Sequence, residues 1–177
     1  MNQDYTIKLA AEHHIRAIPA IEQAAAAIFS ESDLPPEVRF LVTDEETLLE
    51  AQREKRLWAA LQDDTKLVGF ALARVIGDYA HLEEMDVHPE HGRRGIGSQL
   101  LDAVIGWAEA GSLPGLTLIT FRHLPWNAPF YERNGFVRLD AENTNSLLQD
   151  LIREEAEAGL EPRNRVAMYY DIDTASD

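Results

Sequence analysis

The feature that most constrains the fold is a glycine-rich turn between an extended segment and a helical one. The turn spans residues 87–98 and reads Val-His-Pro-Glu-His-Gly-Arg-Arg-Gly-Ile-Gly-Ser. Tyr79 to Val87 precedes it as a predicted strand, and Ser98 to Ala110 follows as a predicted helix. Such a turn lets a phosphate approach the backbone, where the first helical N–H groups and the helix dipole stabilise negative charge. The turn therefore predicts a pyrophosphate site in a fold of strands and helices.

The residues of the turn exclude two common phosphate-binding motifs. A P-loop needs a lysine directly after its last glycine, and this chain has Ser98 there. A dinucleotide-binding motif needs a third glycine, where Leu100 stands, and an acidic residue about 20 positions further on. The next predicted strand, Leu116 to Phe121, contains no acid. A nucleotide-binding oxidoreductase is therefore disfavoured.

A second motif lies at residues 126–136, which read Trp-Asn-Ala-Pro-Phe-Tyr-Glu-Arg-Asn-Gly-Phe. With a predicted helix and strand between them, the ordered pair resembles the GNAT superfamily of acyl-CoA-dependent N-acetyltransferases. The family motifs are Arg/Gln-x-x-Gly-x-Gly/Ala after a strand ending Val-x-Pro, and then Tyr-x-x-x-Gly-Phe. The resemblance covers roughly residues 5–171 and is strongest over 66–139. Gly92 occupies the usual Arg or Gln position, but the family contact is mainly through backbone N–H groups, so phosphate binding is still expected.

The periodicity of apolar residues predicts the element order β-α-α-β-β-β-α-β-α-β-(α)-β. Its first helix covers Glu12 to Phe29, where Pro19 kinks or restarts it. This order makes a mixed α/β sheet with helices on both faces. It is also the GNAT order, and the resemblance implies an α+β fold whose mostly antiparallel sheet of six to seven strands is splayed at the acetyl-CoA site. We expect a single N-acetyltransferase domain over residues 1–177, with its core at 5–171.

The resemblance implies that acetyl-CoA is the co-substrate. A backbone N–H at or next to Val87, where the family strand opens at a bulge, would meet the thioester carbonyl. Asn127 would either reach the pantetheine or cap the helix that follows it. The residues expected to bind the coenzyme are Met85, Asp86, Val87, Arg93, Arg94, Gly95, Ile96, Gly97, Ser98, Asn127 and Phe130.

Acetyl transfer to an amine needs a base for the amine proton, and ionisable side chains crowd the strand before the turn. Strand alternation predicts two faces, His81, Glu83, Met85 and Val87 on one, and Leu82, Glu84 and Asp86 on the other. By resemblance, Glu83 and His81 match catalytic positions, and we rank Glu83 first, His81 second and Glu84 third. Repulsion within the cluster would raise at least one carboxyl pKa, which suits a base. The alternatives are a base acting through water, and acids that are solvated on one strand face.

The transfer also needs a donor for the developing oxyanion and a proton or hydrogen bond for the leaving thiolate. By resemblance, Tyr131 protonates the thiolate, since Gly135 and Phe136 follow it at the family spacing. A free tyrosine has a pKa of about 10 and is protonated at neutral pH. The alternative is a tyrosine that only packs in the core.

The net charge of −15 bears on partners and location. It disfavours nucleic acid and anionic membranes and attracts cationic amines, although solubility alone also explains it. The chain has no cysteine, which excludes disulfides, thiolate catalysis and thiolate metal sites. It has no apolar run of membrane-spanning length and no visible signal peptide, so we expect a cytoplasmic protein. No His, Asp and Glu residues have metal-ligand spacing, so no metal is expected. We expect a monomer or a homodimer.

The predicted function is acetyl transfer from acetyl-CoA to a primary amine of a small molecule or of a peptide or protein N-terminus. The amine would attack directly within a ternary complex. In the family, the first helices, their connection and the C-terminal strands build the acceptor pocket, which here implies Phe29 to Arg39 and Leu139 to Asn164. The alternative is a non-catalytic acyl-CoA-binding regulatory module on the same fold.

Overall fold

The structure of the protein, a computed structural model, describes residues 4–175, with side chains to residue 173. The strands within this range are β1 (Tyr5–Leu9), β2 (Leu57–Gln62), β3 (Lys66–Ile76), β4 (Tyr79–Val87), β5 (Gly115–Phe121), β6 (Val137–Arg138) and β7 (Arg165–Asp171). The α-helices are α1 (Glu12–Ile15), α2 (Ile18–Ala26), α3 (Pro36–Arg39), α4 (Glu45–Arg53), α5 (Ile96–Ala110), α6 (Ala128–Arg133), α7 (Ser146–Glu157) and α8 (Ile172–Ala175). Short 3₁₀ turns cover Pro89–His91 and Pro162–Asn164.

The strands form one seven-stranded sheet in the order β1-β2-β3-β4-β5-β7-β6. The neighbouring strands are antiparallel except for β4 and β5, which are parallel. The parallel pair needs a crossover, and α5 supplies it. The predicted mixed, mostly antiparallel sheet with helices is confirmed, with seven strands.

Helices cover both faces of the sheet. On one face, α5 buries Leu100, Leu101, Val104 and Ala108, whose spacing puts them on one side of a helix. On the other face, α1, α2 and α4 bury a second apolar cluster against β2 and β3. Because both faces are covered, β2 and β3 are nearly continuous apolar runs, as strands buried on two sides are.

Two helix boundaries differ from the predicted ones. The predicted helix from Glu12 to Phe29 is split into α1 and α2, because Pro19 lies in the first turn of α2 and restarts the helix there. The start of α5 is Ile96, two residues before the predicted Ser98, since Gly95 is its N-cap with φ +78°. Within residues 4–175, no helix has both the length and the apolar character that crossing a membrane requires.

The central strands part as they approach the glycine-rich turn. The parallel pairing of β4 and β5 is limited to Ala80 with Leu116, His81 with Thr117 and Leu82 with Leu118. Beyond these pairs, β4 stays on β3 while β5 continues on β7. The resulting gap is the predicted splay in the sheet.

Candidate active site

The gap leaves one edge of β4 open beside the start of α5. The His88 N–H donates to the Val68 carbonyl of β3 at 2.8 Å. Successive N–H groups of a strand point to opposite edges, so Asp86 also points its N–H to β3. By the same alternation, the N–H groups of Met85 and Val87 point to the open edge, where the family resemblance implies the oxyanion donor.

A β-bulge interrupts β4 at the position that the sequence ranks first for the base. Leu82 pairs with Ala73 of β3, and Glu84 pairs with the adjacent Leu72. Glu83 is therefore an extra residue without a partner on β3.

The bulge changes which side chains share a face of the strand. The two observed sets are Leu82, Met85 and Val87 in the core under α5, and His81, Glu84 and Asp86 on the side of α2. The predicted faces are wrong from Glu83 onward, because one extra residue inverts the alternation of all that follow.

A cavity of about 560 Å³ opens at the gap, on the side of the sheet that faces α2. Its walls come from α2, the connections on both sides of α3, the gap strands, α6, α7 and β7. The ionisable residues that line it are Glu22, Arg39, Asp44, His81, Glu83, Glu84, Asp86, Tyr131, Glu155 and Arg165. Carboxylates outnumber arginines, so the cavity favours a cation.

Glu84 and Asp86 form the acidic wall, and neither carboxylate makes a hydrogen bond or ion pair with another residue of the described range. Burial, followed by the negative charge of Glu22, raises the pKa of Glu84 to about 7, although Arg165 opposes the shift. Burial and then the charge of Glu84 raise the pKa of Asp86 well above its ordinary value. A carboxyl that titrates near neutral pH beside an open cavity has the property of a general base.

Glu22 connects α2 to the segment that covers the cavity. It is buried, and its carboxylate accepts hydrogen bonds from the Thr43 N–H at 3.0 and 3.2 Å and from the Thr43 hydroxyl at 2.6 Å. Burial raises the pKa of Glu22, and the bonds from Thr43 oppose the rise. These bonds hold the connection between α3 and α4 over the acidic wall.

Glu83 has a different environment from Glu84. Its carboxylate lies 3.5 Å from Nε of Arg74, and about a third of the side chain is exposed, at 34%. The negative charge of Glu83 therefore already faces a cation of the protein, whereas that of Glu84 does not.

His81 is buried against β5. Its Nδ1 lies 2.9 Å from the Thr117 hydroxyl, which donates its own proton to the Ala80 carbonyl at 3.0 Å. A hydroxyl has one proton, so Nδ1 of His81 must be the donor and Nε2 the bare nitrogen. Burial and then the charge of Arg74 lower the pKa of His81 to about 4, which makes it a weak base at neutral pH.

Tyr131 projects from α6 into the cavity, with its ring packed edge-on against Phe130 and Phe136. Its hydroxyl has no hydrogen-bond partner among the described residues. Burial, followed by the charges of Glu84 and Asp86, raises the pKa of Tyr131, so the hydroxyl keeps its proton at every working pH. The structure therefore presents an uncommitted donor at the gap.

Asn127 is the N-cap residue of α6, but its side chain makes no capping hydrogen bond. Its Nδ2 donates to the Thr120 hydroxyl at 2.9 Å, whereas its Oδ1 is buried without a partner in the described range. The capping alternative is excluded for this side chain. An unpaired buried acceptor is costly, and an N–H of a bound ligand would satisfy it.

The glycine-rich turn has the geometry of an anion site. Arg93 and Gly95 both have positive φ, +58° and +78°, which bends the chain sharply before α5. By helix geometry, the first N–H groups of α5, including those of Ile96, Gly97 and Ser98, have no partner within the helix. The side chains of Arg93 and Arg94 are exposed beside them.

Gly97 and Phe130 bring the two sequence motifs together. A Cβ placed on Gly97 would lie 3.3 Å from Cζ of the Phe130 ring. The missing side chain therefore lets α6 approach the first turn of α5. The glycine-rich turn, the open strand edge and the side chains of α6 consequently lie along one path.

Sequence reasoning did not place Glu22, Asp44 or Arg165 at the cavity, and it included Glu155 only as part of the expected segment 139–164. Glu155 of α7 binds Arg165 of β7 through both carboxylate oxygens, at 2.8 and 2.7 Å, and Glu22 approaches from α2. The segments expected to build the acceptor pocket do contribute, with Phe29 and Leu160 among their lining residues. Glu22 carried a weak signal, since it is a charged residue at a helix position that otherwise faces the core.

The sequence matches the model of the acetyltransferase (GNAT) family over residues 18–136. Several solved structures resemble the protein. One is the PaiA N-acetyltransferase of Thermoplasma acidophilum in complex with coenzyme A, with a TM-score of 0.67 and 18% identity, covering 95% of this chain and 99% of that one. A second is the ribosomal-protein-S18-alanine N-acetyltransferase of Escherichia coli, with a TM-score of 0.65 and 21% identity, covering 96% and 94%.

A third is the N-acetylglutamate synthase of Neisseria gonorrhoeae complexed with coenzyme A and N-acetyl-glutamate. It has a TM-score of 0.71 and 17% identity, and the match covers 97% of this chain but 36% of that longer one. At such low identities these structures show that the fold is shared.

Proposed function

Because the chain belongs to the GNAT acetyltransferase family, we propose that it transfers an acetyl group from acetyl-CoA to a primary amine. The acceptor is a small molecule or the N-terminus of a peptide or protein, and it attacks directly within a ternary complex. The observation that carries this proposal is the gap between β4 and β5. It joins the start of α5, whose first N–H groups have no partner within the helix, to an acid-lined cavity along a strand edge with free donors.

The residues along the gap suit a coenzyme A thioester. The N–H groups at the start of α5 would hold the pyrophosphate, with Arg93 and Arg94 beside it. Asn127 would accept a hydrogen bond from an amide N–H of the pantetheine, which satisfies its buried Oδ1. The N–H groups of Met85 and Val87 point to where a thioester carbonyl would lie. Acetyl-CoA supplies the activated acetyl group, and two of the similar structures hold coenzyme A.

Glu84 is the proposed base in this reaction, ahead of Glu83 and His81. An amine enters the cavity as an ammonium ion and must lose a proton before it can attack. Glu84 lies on the cavity face with a pKa near neutrality and no partner of its own in the described range. Glu83 is paired with Arg74, and His81 is too weakly basic. Asp86 would hold the ammonium beside Glu84.

Two parallel measurements test the proposed function. Thermal shift with acetyl-CoA, NAD and ATP should show stabilisation by acetyl-CoA alone. Release of free thiol from acetyl-CoA should then rise with at least one member of a panel of primary amines. Stabilisation without thiol release for any amine would instead support the non-catalytic acyl-CoA-binding module, and stabilisation by NAD alone would refute both.

Gly97→Val should weaken acetyl-CoA binding while the protein stays folded. The new side chain would meet Phe130 and push the start of α6 into the coenzyme path. Loss of the close approach between the pyrophosphate and the backbone should raise the dissociation constant about tenfold to hundredfold, a loss of about 1.4–2.8 kcal/mol of binding free energy. Calorimetric titration measures it. Gly106→Val is the matched control, because a Cβ on Gly106 meets nothing within 4 Å. Equal affinities in the two variants would show that the turn is not the phosphate site.

A further inference from the structure

We propose that the acceptor is a cationic amine with an apolar body and no carboxylate beside its reacting nitrogen, and that free α-amino acids are rejected. This inference rests on the proposed function and narrows its substrate class to alkyl and arylalkyl amines. It follows from how the charged side chains of the cavity are already paired.

The two arginines of the cavity have their carboxylate-binding edges occupied. Nε and Nη2 of Arg165 bind Glu155 at 2.8 and 2.7 Å, and Arg165 is buried, at 9% exposure. Nη2 of Arg39 donates to the carbonyls of Phe29 and Leu34 at 2.8 and 3.1 Å, and its Nε donates to Leu34 at 3.3 Å. Recognition of a carboxylate by arginine uses this fork of donors. A substrate carboxylate would find the Nε–Nη2 fork of neither arginine available.

The carboxylates on the wall beside the open strand edge, unlike the two arginines, have no hydrogen-bonding partner within residues 4–175. The carboxylates of Glu84 and Asp86 lie on this wall without a hydrogen bond or ion pair in the described range, and Glu22 lies close enough to repel both. An ammonium group satisfies these carboxylates. A carboxylate on the adjacent carbon would be held against the same acids, and like charges brought together in this way lower affinity strongly.

The remaining wall is apolar. Phe29, Leu34, Val38 and Leu160 line it, and the Phe29 ring packs against that of Phe121 with centroids 5.2 Å apart. An alkyl or aryl group buries apolar surface here and leaves no polar atom of this wall without a hydrogen-bond partner. The cavity thus selects a molecule with one cationic end and one apolar end.

Matched compounds test the inference on the full-length protein loaded with coenzyme A. 2-Phenylethylamine, phenylalanine and phenylalanine methyl ester share a ring and an amine, and the ester keeps the bulk of the carboxylate without its charge. We expect the amine and the ester to bind, and phenylalanine to bind at least about 100-fold more weakly. Calorimetry measures this without any need for turnover. Tryptamine and tryptophan repeat the comparison.

The outcomes separate this inference from the proposed function. Phenylalanine that binds as tightly as 2-phenylethylamine would overturn the inference, even if acetyl transfer to both is observed. Weak binding of the ester as well as of phenylalanine would also overturn it, because bulk and not charge would then decide. Selective amine binding without thiol release supports the inference and counts against the catalytic function.

A gain-of-function variant provides the second test. Glu155→Gln releases Arg165 and should raise the affinity for phenylalanine relative to 2-phenylethylamine by about tenfold. Glu154→Gln, an exposed neighbour on α7 that does not line the cavity, is the matched control and should leave the ratio unchanged. An unchanged ratio in folded Glu155→Gln would refute the role of this ion pair in rejecting carboxylates.

Discussion

Glu84→Gln is expected to lower turnover by roughly 10²- to 10⁴-fold, the range that loss of a general base produces, while acetyl-CoA binds as before. The amide is close in size to the carboxylate but cannot take a proton from the ammonium. Steady-state kinetics with the best amine of the panel measures turnover, and titration with acetyl-CoA measures binding.

The pH profile provides an independent readout of the same group. Glu84 must be ionised to act, so kcat/KM of the parent should rise with pH and level off above about 7. In the ternary complex the ammonium favours the carboxylate, so the corresponding rise in kcat should lie at lower pH. Glu84→Gln should lose this limb of the profile.

Glu83→Gln and His81→Gln are the controls for that assignment. The first removes the ion pair with Arg74, and the second removes the bond to Thr117, but neither removes the carboxylate that we propose as the base. Both should keep the acidic limb. If Glu83→Gln loses most of its turnover and Glu84→Gln keeps nearly all of it, the base is Glu83 at the bulge, as the resemblance alone suggests.

The raised pKa of Glu84 should also lower the stability of the folded protein as pH rises. Measuring melting temperatures tests this effect and also checks that the variant is folded. Its folded pKa of about 7 lies above the ordinary value of 4.5. The folded protein therefore binds more protons than the unfolded chain between these values, and its stability falls as pH rises through them. Glu84→Gln lacks this loss, so its melting temperature relative to the parent should be higher at pH 8 than at pH 4. No change in this difference with pH would show that Glu84 is not in the raised-pKa state.

The parts of the site that depend on a few adjacent residues could be predicted from the sequence. The glycine-rich turn works because Gly95 takes positive φ and the first N–H groups of α5 are free, and both follow from a few adjacent residues. The order of elements follows from apolar periodicity and turn residues in the same way. For these reasons the sheet, its splay and the position of Tyr131 on a short helix agree with prediction.

The parts of the site that depend on pairing between distant segments could not be predicted from the sequence. The resemblance implies a bulge at or next to Val87, but the bulge lies at Glu83, because the registers of β3 and β4 shift by one residue between Leu72 and Ala73. No residue pattern within β4 predicts this register shift, yet the shift determines which acids face the cavity. The same holds for Glu22 and Arg165, which reach the acidic wall only when α2 and β7 pack around the gap.

Tyr131→Phe should lower turnover by about 10²-fold or more, the cost of removing one preorganised donor at a reacting centre. The ring is kept, so its packing against Phe130 and Phe136 and the affinity for acetyl-CoA should persist. Tyr170→Phe is the matched control, because that ring also packs against Phe136 but does not line the cavity.

The raised pKa of Tyr131 decides what its hydroxyl can do for the leaving sulfur. A thiol has a pKa of about 8.5, well below that of a buried tyrosine, so complete proton transfer from the hydroxyl to the thiolate is uphill. Tyr131 therefore keeps its proton and stabilises the sulfur by a hydrogen bond as negative charge develops. On this basis Tyr131→Phe should lower kcat at every pH and leave the acidic limb set by Glu84 in place. A new pH dependence in Tyr131→Phe, or turnover equal to that of Tyr170→Phe, would contradict this role and make Tyr131 a packing residue.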